Sequence, residues 1–343
     1  RLKADLDNSG TIAVSELNIE NKNSEIKAAG SFQLFDHGFK IHPEVPITAD
    51  LSLSNAELRN FLDKEYFKGT VDGKIQARGT ARNLDAALLL SGRNIAVGTH
   101  QVGNVEADLK FAKGELRADA LKISNRQSSL AVSGTAQLLE QDKFKPLKSP
   151  ILDLKLSSDK LLIENFVKGM KGLVSASAHI RGTPEAMSGD IRADAKNVDT
   201  GVQKIPEISV NSRMEGDKVM LDSLKIAFAP DEAISGTGWI SFQKTFDIAI
   251  KTDGISLARI DAVRHKDSVD GKLWLLLSGK GSFDNPDVSG TIGLKKLKLN
   301  DKPADNMLFD FEIRDHLAKV SGKLNFDLDS RFDLNSKKFS ASV

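Results

Sequence analysis

The sequence predicts a mostly β fold. It reads as an elongated, curled antiparallel sheet, a β-taco or groove, made of tandem repeats that each carry one short helix. Two observations predict it. The first is repetition. AVSGTAQL (131–138), AISGTGWI (233–240) and AKVSGKLNF (318–326) are one strand in three copies, with Gly134, Gly236 and Gly322 in register. A second set precedes each of them: QARGTARNLDAALLLSG (76–92), HIRGTPEAMSGDI (179–191) and SGKGSFDNPDVSGTI (278–292), anchored at Gly79, Gly182 and Gly281. EIKAAGSFQL (25–34) keeps a fragment of an earlier copy around Gly30. The spacing of roughly one hundred residues marks one continuous array and not independent domains. The division is a partial repeat over 1–46, repeats over 47–147, 148–244 and 245–329, and the start of another over 330–343. With Arg1 at its head and part-repeats at both ends, the chain reads as a segment of a longer protein.

The second observation is alternation with period two, the signature of half-buried strands. Val71, Gly73, Ile75, Ala77 and Gly79 share one face, and Asp72, Lys74, Gln76 and Arg78 the other. Val105, Ala107, Leu109 and Phe111 oppose Glu106, Asp108 and Lys110. Val174, Ala176, Ala178 and Ile180 oppose Ser175, Ser177, His179 and Arg181. Met307, Phe309, Phe311 and Ile313 share a face, as do Val320, Leu324, Phe326 and Leu328. Turn residues punctuate the strands at DNSG (7–10), FAKGE (111–115), MEGDK (214–218) and FDNPD (283–287). Helical spacing appears once per repeat: Leu58, Phe61 and Leu62 in 55–66, Leu162, Ile163, Phe166 and Val167 in 158–170, and Leu257, Ile260 and Val263 in 256–267.

One short helix per repeat cannot cover a whole apolar sheet face, and no second set of strands is left to do so. The sheet is therefore expected to curl and bury that face against itself as a groove. The residues expected to line it are Val71, Ile75, Leu109, Phe111, Val174, Ile180, Ile191, Ile234, Ile240, Leu273, Leu275, Ile292, Phe309, Phe311, Leu324 and Phe326. Alanines and glycines between them are expected to leave space suited to an acyl chain.

Composition excludes several classes of function. Lysine and arginine number 48 against 47 aspartates and glutamates, and aromatics are 6%, so neither a basic field nor stacking platforms exist for nucleic acid. Without cysteine there is no disulfide, thiolate metal site or cysteine nucleophile. No apolar run reaches membrane-spanning length.

Several motifs look chemical in isolation. Asp5, Asp7, Ser9, Gly10, Ile12 and Glu16 fit a calcium-loop pattern, but the repeat register aligns Glu16 with Ala120 and makes DNSG a hairpin turn. The six histidines, His37, His42, His100, His179, His265 and His316, show no metal-ligand spacing. No serine occupies a nucleophile elbow, and Gly279 and Gly281 sit in a strand with no helix after them, unlike a phosphate loop. Lys295, Lys296, Lys298 and Lys302 read as a solvated face with headgroup contact as the alternative, and Trp239 and Trp274 fall on the polar row under an expected covering element. No cofactor, metal or catalytic constellation is expected.

The ordered strings ILDLKLSSDKLLIENFV, VSASAHIRGTPEAMSGDIRADAKNV and IPEISVNSRMEGDKVMLDSLKIAFAPDEAISGTGWISF, with their counterparts in the flanking copies, resemble the AsmA-like superfamily of bacterial envelope proteins. The similarity is to its long TamB- and YhdP-type members. The first copy departs, with Asn83-Leu84-Asp85 where the others carry Pro184 or Pro286. The resemblance implies a periplasmic rod tethered to the inner membrane by a segment outside this chain. Its hydrophobic groove would carry phospholipid between inner and outer membranes, with an outer-membrane barrel as a possible partner. Two other roles stay open: a chaperone-like module that binds outer-membrane strands, and a structural spacer.

Overall fold

Alternating sequence becomes paired strand almost throughout. The computed structural model describes all residues except 7–10, 22–23, 34–43, 45, 61, 63–65, 81–82, 141–144, 166, 265–268, 324–326 and 343. The chain folds as two units, Arg1–Leu161 with Ala178–Glu185, and Leu162–Ser177 with Ala186–Val343. The first holds β1 (Leu2–Leu6), β2 (Thr11–Asn21), β3 (Ser24–Gln33), β4 (Pro46–Glu57), β5 (Phe67–Thr80), β6 (Leu84–Val97), β7 (His100–Ala112), β8 (Glu115–Asn125), β9 (Ser128–Leu139) and most of β10 (Pro146–Leu162). Residues of β11 (Lys171–Thr183) belong to both. The second holds β12 (Ala186–Asp199), β13 (Lys204–Glu215), β14 (Lys218–Ala229), β15 (Glu232–Ser241), β16 (Thr245–Ser256), β17 (Val269–Ser282) and β18 (Pro286–Leu299). It continues with β19 (Lys302–Pro303), β20 (Met307–Arg314), β21 (Leu317–Lys323), β22 (Asp327–Asp333) and β23 (Phe339–Ser342).

In each unit successive strands pair antiparallel in a meander, the short β19 being passed over by the pairing of β18 with β20. The fold class is thus a curled, unclosed antiparallel sheet. Tight turns set the register. At Lys113 (φ 51°) and Gly114 (φ 78°) both residues are left-handed, the geometry that joins two strands without splaying them.

A single helical turn follows every sixth strand: Leu58–Asn60 after β4, Ile163–Asn165 after β10 and Leu257–Arg259 after β16, the last extended by α1 (Asp261–Arg264). This shortens the helices expected over 55–66, 158–170 and 256–267. Strand continues through Glu57, Leu162 and Ser256, and a helix of about twelve residues without a face to pack on is marginal. Phe61, residues 63–65, Phe166 and 265–268 of those segments lie outside the described residues.

The turns use their apolar residues differently. Ile163 and Val198 meet over the bare backbone of Gly172, and Leu257 lies over Gly271 beside Leu297. In the first repeat Ile95 covers Gly69. Left-handed residues prepare these contacts: Asn94, Asn197 and Lys296 have φ of 53°, 52° and 52°, and the first and last lie in bulges. Asn104 Oδ1 and Asn306 Oδ1 accept the freed backbone N–H groups of Asn94 and Lys296. Val198, Ile255, Leu257 and Leu297 are only 1–4% exposed. Each contributes about 1.5–3 kcal/mol by burial.

Away from these clusters little is sealed. Among the described residues the buried apolar set is completed by Ala56, Ala96, Ala107, Met214 and Ala227. The accessible surface is 21766 Å². A compact chain of 37.3 kDa would expose about 14,000 Å², and two compact halves about 16,500 Å² together. Among the described residues no helix or second layer of strands packs over the sheet.

Candidate functional site

The strand registers assemble the apolar residues into unbroken rows. In the first unit one row runs Ala28, Leu51, Ile75, Leu88, Leu109, Ala118, Gly134, Leu154 from β3 to β10. Beside it lie Leu53, Gly73, Leu90, Ala107, Leu121, Val132 and Leu156. In the second unit a row runs Ala193, Val210, Leu224, Gly236, Ile250, Leu277, Gly290, Phe311, Val320 from β12 to β21. A neighbouring one joins Leu275, Ile292, Phe309 and Gly322.

Twelve of the residues singled out from sequence have a strand register that places them on the apolar face of their unit. Ile75 and Leu109 flank Leu88, Val71 faces Gly92, and Phe111 sits between Ala86 and Leu116. Ile191 faces Ser212, Ile234 faces Ile226, Ile240 lies between Val219 and Phe246, and Leu273 faces Leu294. Val174 and Ile180 of β11 are half-buried, like all of these except Ile240, which is 37% exposed. Leu324 and Phe326 lie outside the described residues. Sequence reasoning did not single out Leu51, Leu88, Leu154, Leu224, Ile250, Leu277 and Val288. The run ALLLSG hides its phase, since Leu89 is apolar yet 55% exposed on the opposite face; FDIAI held a clear signal.

The small residues do not leave the expected space. A methyl added to Gly73 would lie 2.6 Å from Leu90 Cδ2, one on Gly322 2.7 Å from Phe309 Cδ1, and one on Gly290 2.8 Å from Leu277 Cδ2. Large side chains of paired strands lean into the gaps, so the face is smooth rather than pitted.

The opposite face is held by paired charges. Arg213 bonds Asp222 at 2.9 Å and Lys110 bonds Asp119 at 2.6 Å, both across neighbouring strands. These bonds hold the Asp222 and Asp119 carboxyls below the usual carboxylate range. A recess of about 790 Å³ on this face is lined by Lys27, Ser52, Asp72, Lys74, Glu106 and Lys122, so charges of both signs share it. Lys218 stands 4.1 Å from the Trp239 ring centre and Lys295 4.7 Å from that of Trp274. Lysine ammonium groups stand over both indoles. Lys296 occupies a bulge, and Lys298 faces Asp270.

The remaining motifs take ordinary places. Asp5 and Glu16 lie on β1 and β2, where Glu16 pairs with Lys3 at 2.9 Å, and no helix leads into them; Asp7, Ser9 and Gly10 lie outside the described residues. His179 bonds Asp153 at 2.6 Å, His100 opens β7 and His316 sits in a turn at φ 62°. His37, His42 and His265 lie outside the described residues. No group of ligating side chains suited to a metal occurs among the described residues. Comparison with family models, curated proteins and solved structures finds no match to this chain.

Proposed function

We propose that the apolar face binds the acyl chains of phospholipids, in a segment of an AsmA-like periplasmic protein that carries phospholipid between inner and outer membranes. One observation carries the reading: rows of Leu, Ile, Val and Phe cross strand after strand, half-buried and uncovered, on a backbone already spent in the ladder. An acyl chain asks for no hydrogen bond, and each methylene it buries is worth about 0.8 kcal/mol. A peptide laid on the same rows would desolvate its amides without partners. A spacer would keep the rows covered, and among the described residues no other element packs over them. Headgroups would stay in water while the tails move along the rows.

The test is native mass spectrometry of the purified chain with lipid extraction from the same sample. Several phospholipids per chain are expected. A lipid-free chain that also refuses fluorescent phospholipid would end the proposal and favour the strand-binding or spacer role.

A further inference from the structure

The two ends of the strands in the second unit differ. At the end bearing the helical turn, the apolar rows stop against Val198 (1% exposed), Ile255 (1%), Leu257 (4%) and Leu297 (3%). The turn and α1 run back along this end as a strap. Gln203 Nε2 donates to the Arg259 carbonyl at 3.0 Å, the Asp261 N–H donates to Gln203 Oε1 at 3.0 Å, and the Lys204 N–H donates to Asp261 Oδ2 at 2.8 Å. Arg259 also reaches Glu232 at 3.7 Å. An exposed Val202 tips the hairpin beyond the strap, outside the seal.

The other end has no strap among the described residues. Ile240 is 37% exposed, Phe242 56% and Phe283 53%. Phe283 stacks on Phe246, centroids 5.4 Å apart and planes 20° from parallel, and Phe246 is a member of the apolar face, opposite Ile240 and Gly281. The turns here are laced together: the Gly216 N–H donates to the Met187 carbonyl, Phe242 N–H to Asp217 and Phe283 N–H to Lys244. The rim is thus a fixed edge with its backbone donors occupied and its aromatic side chains turned to solvent. It presents exposed aromatic side chains, continuous with Phe246 and Ile240 of the apolar face, to a hydrocarbon tail.

We infer that phospholipid tails cross onto the apolar face over the Phe242–Phe283 edge and not over the strap end. The inference rests on the acyl-chain reading above and adds the route. It is tested with the full chain and vesicles of phosphatidylethanolamine and phosphatidylglycerol containing an acyl-labelled fluorescent phospholipid. Uptake rate is read by fluorescence and final occupancy by native mass spectrometry. Phe242→Asp and Phe283→Asp put a carboxylate on the route and should slow uptake about tenfold at unchanged final occupancy. Val202→Asp, at the strap end, should take up lipid at the parental rate. Phe242→Asp leaves the Phe246–Phe283 stack intact, so its slowing cannot be laid to a lost ring contact. Equal rates in all variants, with the parent loaded, would overturn the route and leave the acyl-chain reading standing. Greater slowing by Val202→Asp would do the same. A parent that takes up no lipid would overturn both.

Discussion

Ile163 and Val198 converge on Gly172. A methyl placed on that glycine would lie 3.0 Å from Ile163 Cδ1 and 3.3 Å from Val198 Cγ2, so both side chains pack on backbone that carries none. With Leu257 over Gly271, this contact anchors the helical turns and makes one end of the strands the dense part of the second unit.

Val198→Ala should therefore cost about 2 kcal/mol locally, read as roughly thirtyfold faster amide exchange in β12. Val71→Ala, on the half-buried open face, should cost less than about 1 kcal/mol. Similar acceleration in both would mean that packing is uniform along the strands.

Charges on the apolar face should expel lipid while charges on the other face should not. Ile75→Asp and Phe309→Asp are expected to abolish phospholipid co-purification, because a tail gains nothing beside a carboxylate it cannot solvate. Ser177→Asp, on the exposed row of β11, should keep the parental lipid content. Equal lipid in all three would place the binding surface elsewhere.

Gln203→Ala removes one donor and one acceptor from the strap. The amide of Asp261 loses its acceptor, Gln203 Oε1, and should exchange about tenfold faster, the equivalent of one ordinary hydrogen bond. β20 and β21, remote from the strap, should exchange as before. Unchanged exchange at Asp261 would show that the Lys204–Asp261 bond and the Arg259–Glu232 pair suffice to hold the strap.

Acid should loosen the charged face first. Asp119, Asp153 and Asp222 are held below their usual range chiefly by hydrogen bonds from Lys110, His179 and Arg213. A carboxyl lowered in the folded state adds stability that is complete above its unfolded value, near pH 4, and is lost as pH falls through the folded value. The thermal midpoint should thus hold between about pH 5 and 7 and drop below about pH 4. These pairs are exposed, so the drop should be small and should shrink in high salt. A midpoint that is flat to pH 2 would remove any stabilising role for the cross-strand pairs.

The sequence by itself determined that this is a one-faced sheet of repeats. Period two is a backbone property: once Val71, Ile75 and Ala77 share a face, no packing partner can put Lys74 beside them. The same holds for the hairpin at Lys113-Gly114, where local conformation leaves few alternatives. The absence of cysteine likewise removed disulfide and thiolate chemistry without reference to any contact.

The tertiary structure alone decided four things. It set the register that aligns Ile75 with Leu88 and Leu109, because pairing is chosen between strands and alternation within one strand is silent about it. It turned helical spacing at 158–170 into a single turn and at 256–267 into a turn followed by the short α1, because Ile163 and Leu257 gain more by packing over glycine backbone than isolated helices gain by propagating. It filled the gaps beside Gly73 and Gly322 with Leu90 and Phe309, and sealed one end of the strands in the second unit while leaving Phe242 and Phe283 in water. Burial of that kind is a sum over neighbours remote in sequence, and no local pattern encodes it.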